Sequence, residues 1–144
     1  MDVLTKEQRR KNMQEISNSN TKMEVVLAKA LWEKGYRYRK NDKTVFGKPD
    51  LTFKRLKIAI FVDSEYFHGK DWDINKHRIK TNRKFWWKKI ESNIKRDCEV
   101  NIRLKKEEWK ILRFWSKDVQ KNLLSCTRKI DRIISERSKA KKIF

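Results

Sequence analysis

Three side chains between residues 50 and 68 have the types and the spacing of a hydrolytic metal site. Asp50 follows Pro49 at the start of an apolar segment, Asp63 ends an apolar run, and His68 follows five residues later. Carboxylates on two adjacent strands can share one Mg²⁺ ion, which prefers oxygen ligands. A histidine with an ordinary pKa of about 6.5 can take a proton from water near neutral pH. The pattern predicts metal-assisted hydrolysis, with His68 as the general base.

Both carboxylates also have purely structural interpretations, which the residues alone leave open. Asp50 could complete a turn at the start of its strand, and Asp63 could form a salt bridge with one of the 39 Lys and Arg residues. The position of Asp63 favours the metal site, because a charge placed directly after a buried strand is costly unless it faces a metal or a partner.

The two carboxylates lie side by side only if the segments around them pair as a sheet. Strand patterns are predicted over 36–39, 50–53, 57–63 and 110–115, with a hairpin turn at 54–55. The segment 57–63 contains the continuous apolar run IAIFV, which predicts a central strand buried on both faces. The element order α-α-β-β-β-α-β-α predicts an α/β (α+β) fold, in which a mixed central sheet of about four strands is flanked by helices.

Capping boxes and apolar spacing predict the helices. The boxes that begin at Thr5 and Thr21 predict helices over 6–16 and 21–35, separated by a break at 18–20 and ended by Gly35. A long helix is predicted over 82–106 and a terminal helix from about residue 118. The inward-facing residues of the long helix are predicted at steps of four: Trp86 or Trp87, Ile90, Ile94, Cys98 and Ile102.

The stretch 65–80 lacks a period and is predicted to be an irregular loop, which at this length is usually either functional or disordered. The length of 144 residues predicts one domain over 1–144.

The net charge of +20 predicts a polyanionic partner, and double-stranded DNA is the expected one. Cys98 and Cys126 lack the spacing of a zinc ribbon or a disulfide scaffold. The chain shows neither an apolar run of membrane-spanning length nor a signal peptide. We therefore expect a soluble, cytoplasmic, nucleoid-associated protein that does not bind membranes and acts as a monomer.

The residues resemble the very-short-patch repair (Vsr-type) DNA mismatch endonucleases. The segment FVDSEYFHG over 61–69 is similar to the family signature FVDGCFWHG. Further matches are RKNM with Ile16, TKMEVVL over 21–27, GKPD over 47–50, and the residues Thr81, Asn82, Phe85, Trp86, Lys89, Ile90, Asn93, Arg96, Asp97, Trp109 and Trp115. The resemblance covers about residues 7–116 and implies a restriction-endonuclease-like PD-(D/E)xK nuclease core. Within the single domain we then expect an N-terminal DNA-contacting helix over 1–20, a catalytic core over 21–116, and a C-terminal helix and basic tail over 117–144.

The resemblance assigns roles to the candidate catalytic residues. Asp50 and the backbone carbonyl of Val62 would bind Mg²⁺, Asp63 would stand beside the metal, and His68 would activate water. Glu24 would hold a metal-bound water, or it would serve only as the third residue of the capping box. Two further residues would brace His68, or they would pair with Lys89 and Arg96 instead: Asn93 and Asp97.

The resemblance also implies the DNA-contacting residues. Tyr66 and Phe67 stand at the positions of the family's aromatic wedge, and Met13 stands at the position of its intercalating Met. An apolar wedge is effective at a mismatch because unstacking is cheaper there. The alternative is that the two aromatic residues belong to the core. The basic residues expected to contact DNA are Arg10, Lys11 and Lys48.

Several residues depart from the family pattern. The usual nuclease Lys two positions after the second carboxylate is Glu65 here, and Glu65 also replaces the Cys of the family signature. The Cys after the last strand is replaced within Ser116-Lys117. The resemblance implies a structural zinc held by Cys and His ligands. Asp71, Asp73 and His77 could supply other ligands, but no thiolate remains nearby; because structural zinc favours Cys and His ligands, we expect no zinc. The changes at Ser64 and Phe67 bear on the preference for mismatches.

Three functions follow. The first is a Mg²⁺-dependent endonuclease that nicks duplex DNA at T:G mismatches in very-short-patch repair, with any mismatch-repair partner proteins unspecified. The second is a restriction-like or homing-type DNA endonuclease on the same fold without mismatch specificity. The third is a basic DNA-binding protein that has lost catalysis, against which Asp50, Asp63 and His68 argue.

Overall fold

The computed structural model describes residues 5–142, except for the side chains of residues 15–20, 141 and 142. Its centre is a four-stranded mixed sheet in the order β1-β2-β3-β4, made of Arg39–Lys40, Leu51–Phe53, Ile58–Asp63 and Lys110–Trp115. β1 and β2 are antiparallel, as are β2 and β3, whereas β3 and β4 are parallel. The predicted fold class is confirmed. The first strand is shorter than predicted, because Tyr36 and Tyr38 precede it and pack their rings edge-on against Phe53.

Successive residues of β3 serve opposite faces of the sheet, as a strand requires. Ile58, Ile60 and Val62 belong to the larger apolar core, while Ala59 and Phe61 belong to the smaller one. Every residue of β3 is buried, so the prediction of a strand buried on both faces is confirmed. The alternation puts the Asp63 carboxylate on the same face of the sheet as Phe61, the face covered by the long helix over Arg83–Lys106.

The helices cover the two faces of the sheet. The larger core is built with α1 (Lys6–Glu33), α4 (Ser116–Lys121) and α5 (Leu123–Lys142). The smaller core is built with α3 (Arg83–Lys106). The terminal helix predicted from about residue 118 is thus two helices. Within residues 5–142, no helix combines the length and the apolar composition needed to cross a bilayer.

The two predicted N-terminal helices are one continuous helix, α1. The first capping box is confirmed, since Thr5 Oγ1 accepts from the N–H of Gln8 and the Gln8 side chain accepts from the N–H of Thr5. The predicted break at 18–20 and the second helix start at Thr21 are wrong. Packing of Met23, Leu27 and Leu31 holds the helix through a segment whose low helix propensity costs only a few tenths of a kcal/mol per residue.

The C-terminal end of α1 is as predicted. Gly35 has a φ of +96°, and the N–H groups of Gly35 and Tyr36 donate to the carbonyls of Trp32 and Leu31. This is the Schellman arrangement, in which a left-handed residue reverses the chain.

The inward face of α3 differs from the prediction. Ile90, Val100 and Leu104 are buried, whereas Cys98 is exposed and Ile102 is 68% exposed. A series at steps of four rotates around a helix of 3.6 residues per turn, so its last members leave the sheet-facing side.

The 65–80 segment is more regular than predicted. It contains α2 (Trp72–Asn75) and a 3₁₀ turn (Lys76–Arg78). The side chain of Asn75 donates to the carbonyl of Lys70, and Trp87 Nε1 of α3 donates to the carbonyl of Lys76. These bonds tie the segment to itself and to α3.

Candidate active site

Asp50 and Glu24 form one side of the site, where the start of β2 meets the middle of α1. Asp50 Oδ2 accepts a hydrogen bond of 2.7 Å from the N–H of Val62 on β3. Burial, the charge of Asp50 and a hydrogen bond to Asp50 raise the pKa of Glu24 to about 7. Burial also raises the pKa of Asp50, although the N–H of Val62 and the bond from Glu24 oppose the rise. Because α1 does not begin at Thr21, Glu24 is not a capping residue and instead faces Asp50.

His68 lies between two carboxylates on the other side of the site. Its Nδ1 donates to Asp97 Oδ2 at 2.6 Å, and its Nε2 lies 3.8 Å from Asp63 Oδ1. Burial alone would lower the pKa of His68, but the hydrogen bond to Asp97 and the charges of Asp63 and Asp97 outweigh it and raise the pKa. The bond to Asp97 fixes the tautomer, so in the neutral ring the Nε2 lone pair can accept a proton.

Arg113 completes this cluster, and the sequence analysis did not find it. One guanidinium nitrogen of Arg113 donates to both oxygens of Asp63, at 3.0 and 3.2 Å, and lies 3.7 Å from Asp97. Its Nε donates to Asn101, and the guanidinium lies 4.0 Å from the ring centre of Phe61. Its place in the sheet explains the contact. β4 pairs in parallel with β3, and Arg113 is the register partner of Phe61, two residues before Asp63.

The loop that carries His68 is held against α3. Asn93 Nδ2 donates to the carbonyl of Phe67 at 2.9 Å, next to His68. Gly69 has a φ of +65°, and a Cβ there would lie 2.5 Å from Ile94. The loop can therefore approach the helix this closely only because residue 69 is glycine. Of the predicted braces, Asp97 contacts the imidazole and Asn93 contacts the adjacent backbone.

An open cavity of about 1130 Å³ lies between the N-terminal part of α1, the 65–80 segment and the start of α3. Arg10, Met13 and Tyr66 line it together with Trp86. Tyr66 and Phe67 lie edge to face, with ring centres 5.4 Å apart, and both rings contact Trp86. Two predicted DNA-contacting residues are exposed and are not among the described residues that line the cavity: Lys11 and Lys48.

The donor set at the start of β2 fits a divalent metal. The positive charge of Arg113 offsets the negative charges of Asp63 and Asp97. Glu24 and Asp50 instead repel each other, and this repulsion contributes to the raised pKa of Glu24. A divalent cation beside Glu24 and Asp50 would relieve that repulsion with oxygen ligands. Asp63, His68 and Asp97 also offer ligand atoms within 4.8 Å of one another.

The residues do not fit the structural zinc that the family resemblance implies. Glu65 stands at one thiolate position and Ser116-Lys117 at another. In the described part of the chain, the single group of three or more potential metal ligands is Asp63, His68 and Asp97, and it includes neither Asp71, Asp73 nor His77.

Comparison with known proteins is consistent with this geometry. Residues 1–74 match the sequence model of the family described as DNA mismatch endonuclease Vsr. The chain is 54% identical to the type II nicking enzyme V.NmeDIP of Neisseria meningitidis serogroup C, over 95% of this chain and 93% of that protein. It is 56% identical to the type II nicking enzyme V.HpaIIP of Haemophilus parainfluenzae, over 95% and 98%. It is 32% identical to the DNA mismatch endonuclease Vsr of Escherichia coli K12, over 79% and 72%.

Proposed function

Because this chain belongs to the Vsr family of DNA mismatch endonucleases, and is a DNA endonuclease, we propose that it nicks one strand of duplex DNA at T:G mismatches with Mg²⁺ as its metal. The observation that carries the proposal is the position of His68. Its ring is oriented by Asp97, and its Nε2 faces the end of β3 beside Asp63. A basic cavity with an aromatic wall adjoins this site.

His68 acts as the general base in this proposal. Nε2 takes the proton of the attacking water as the water oxygen bonds to phosphorus and one phosphate ester bond breaks. The resulting imidazolium lies between Asp63 and Asp97, whose charges favour the protonated ring. Arg113 keeps Asp63 hydrogen-bonded to the neighbouring strand, so that Asp63 does not close onto Nε2.

Asp50, the carbonyl of Val62 and Glu24 hold the metal in this proposal, with Glu24 acting through water. The bond from the N–H of Val62 to Asp50 Oδ2 fixes the orientation of the carboxylate. When bound, Mg²⁺ supplies positive charge at the phosphate and the leaving oxygen. The raised pKa of Glu24 fits a site that exchanges a shared proton for a cation.

Recognition of DNA divides between charge and stacking. Arg10, Lys11 and Lys48 contact phosphates, which positions the duplex without reading its sequence. Tyr66, Phe67 and Met13 wedge into the weakened base step at the mismatch. Support for the wedge comes from the shared cavity of Met13 and Tyr66, and from Trp86, which backs both aromatic rings.

The test compares matched and T:G-mismatched duplexes that are otherwise identical, each with Mg²⁺ and with EDTA. We expect one strand of the mismatched duplex to be nicked, in Mg²⁺ alone, and the matched duplex to be cut far more slowly. His68→Ala serves as the control for contaminating nucleases. Equal rates on both duplexes would replace the repair function with a nuclease that lacks mismatch specificity, and no cleavage under any condition would refute both.

A further inference from the structure

Glu65 connects the end of β3 to the beginning of α4. Its carboxylate oxygens lie 2.8 and 3.0 Å from Ser116 Oγ, and Oε1 accepts from the N–H of Lys117 at 3.0 Å. The N–H groups of the first residues of a helix have no acceptor within the helix, and Trp115 at the N-cap of α4 makes no capping bond through its side chain. Glu65 therefore caps α4 from a distant part of the chain. We call Glu65, Ser116 and Lys117 the clasp.

We infer that the clasp does the work of the structural zinc implied by the family resemblance, and that Glu65 is a positioning residue for the loop bearing Tyr66, Phe67 and His68. The inference about catalysis rests on the proposed nuclease function. The clasp lies at two positions where the family pattern has Cys, and it replaces metal–thiolate bonds with hydrogen bonds to a carboxylate.

The neighbouring side chains leave little from which to build a zinc site. Asn75 donates to the backbone of Lys70, and the ring of His77 stacks edge-on against Trp87. Cys98 lies on the exposed side of α3 and Cys126 is buried in α5. The residues that contact Glu65 in the clasp are a hydroxyl and a backbone amide, and neither is a usual zinc ligand.

The clasp transmits its restraint through a hydrogen-bonded turn. The N–H of Lys70 donates to the carbonyl of Glu65, and the N–H of His68 donates to the carbonyl of Ser64. Fixing the Glu65 side chain therefore fixes the first residues of the turn on which the imidazole is placed. Asn93 and Gly69 hold the far side of the same turn against α3.

The experiment uses the full chain as Glu65→Ala, Glu65→Gln and the parent, with Glu99→Ala on the exposed side of α3 as the matched control. Zinc is measured by elemental analysis, amide hydrogen exchange is followed over residues 66–70, and nicking of a T:G duplex gives kcat and KM. Ser116→Ala, which removes one donor, is the milder variant in case Glu65→Ala does not fold.

We expect substantially less than one zinc per chain in the parent, with nicking in Mg²⁺ unaffected by 1,10-phenanthroline. In Glu65→Ala, the backbone amide hydrogens of residues 66–70 should exchange with solvent about 10–100-fold faster than in the parent, because hydrogen bonds to a charged group are lost. The kcat of Glu65→Ala should fall roughly tenfold, and Glu65→Gln, which keeps an acceptor, should recover part of it.

One zinc per chain, or unchanged exchange and kcat in Glu65→Ala, would overturn the inference. Zinc content and exchange do not depend on activity, so they separate the clasp from the proposed function. If the parent fails to nick the T:G duplex but Glu65→Ala loosens residues 66–70, the repair function fails and the zinc-free clasp stands.

Discussion

Replacing Glu24 with Gln should stabilise the metal-free protein at pH 8 and change its stability much less at pH 5. The pKa of Glu24 is about 7 in the folded protein against an ordinary value of 4.5, because of burial and the adjacent Asp50. Between pH 4.5 and about pH 7, the Glu24 carboxyl group keeps its proton in the folded chain but has lost it in the unfolded chain. Folding stability from this group is therefore greatest below pH 4.5 and declines as the pH rises to 7. Gln cannot ionise, and its amide can still donate to Asp50.

The size of the effect follows from the pKa difference. A change from 4.5 to about 7 corresponds to about 3 kcal/mol if it is fully expressed. Glu24 is only partly buried, so solvent screening reduces the expected gain to about 1–2 kcal/mol. For a chain of this length, that is a rise in Tm of about 3–8 °C at pH 8.

The assay is thermal unfolding in EDTA at pH 5 and pH 8, repeated at pH 8 with Mg²⁺. Glu33→Gln, an exposed position on the same helix, is the control and should show no pH-dependent difference from the parent. Mg²⁺ should raise the Tm of the parent more than that of Glu24→Gln, because the cation relieves a repulsion that the variant lacks. The reasoning is refuted if Glu24→Gln and the parent lose the same stability between pH 5 and pH 8.

The remaining predictions address catalysis and recognition. Asp50→Asn should abolish nicking while duplex affinity in a gel-shift assay stays within a few-fold, and Mg²⁺-dependent nicking by this variant would remove Asp50 from the site. His68→Ala should lower the nicking rate by roughly 10²–10⁴. The nicking rate of the parent should fall as the pH drops through the raised pKa of His68. A flat profile of rate against pH from about pH 5.5 to 8 would contradict the role of His68 as general base. The double variant Tyr66→Ala with Phe67→Ala should lose the T:G preference but keep the salt dependence of binding. That dependence is a slope of the logarithm of the binding constant against the logarithm of the salt concentration of roughly −0.9 per phosphate contact, over about five or more contacts. A retained preference would mean that both rings belong to the core.

Strong apolar patterns predicted the centre of the fold. The run that became β3 has no polar residue before Asp63, so burial on both faces is the one arrangement that removes it from water. Gly35 marked the end of α1 because it can adopt a left-handed conformation at small cost. The positions of Asp50, Asp63 and His68 relative to these elements predict the candidate site.

Weaker local signals failed where packing outweighed them. A capping box contributes about 1 kcal/mol, less than the burial of Met23, Leu27 and Leu31 that continues α1 through Thr21. The basic partner of Asp63 could not be selected from the sequence, because 39 residues carry the required charge. The parallel register of β3 and β4 selects Arg113, and register is a property of the folded sheet.

The pairing of β3 with β4 also determines how late in synthesis the candidate site can be completed. Asp63 and Arg113 are 50 residues apart in the chain, and the clasp joins Glu65 to residues still later in the sequence. Closing so long a loop is slow compared with forming local helices, and β4 emerges last of the four strands during synthesis. A nascent chain that ends within α3 contains Asp50 and His68. It lacks Arg113 of β4, which contacts Asp63, and it lacks Ser116 and Lys117, which contact Glu65. The contacts that restrain Asp63 and Glu65 can therefore form only after the chain has been synthesised through β4 and the start of α4.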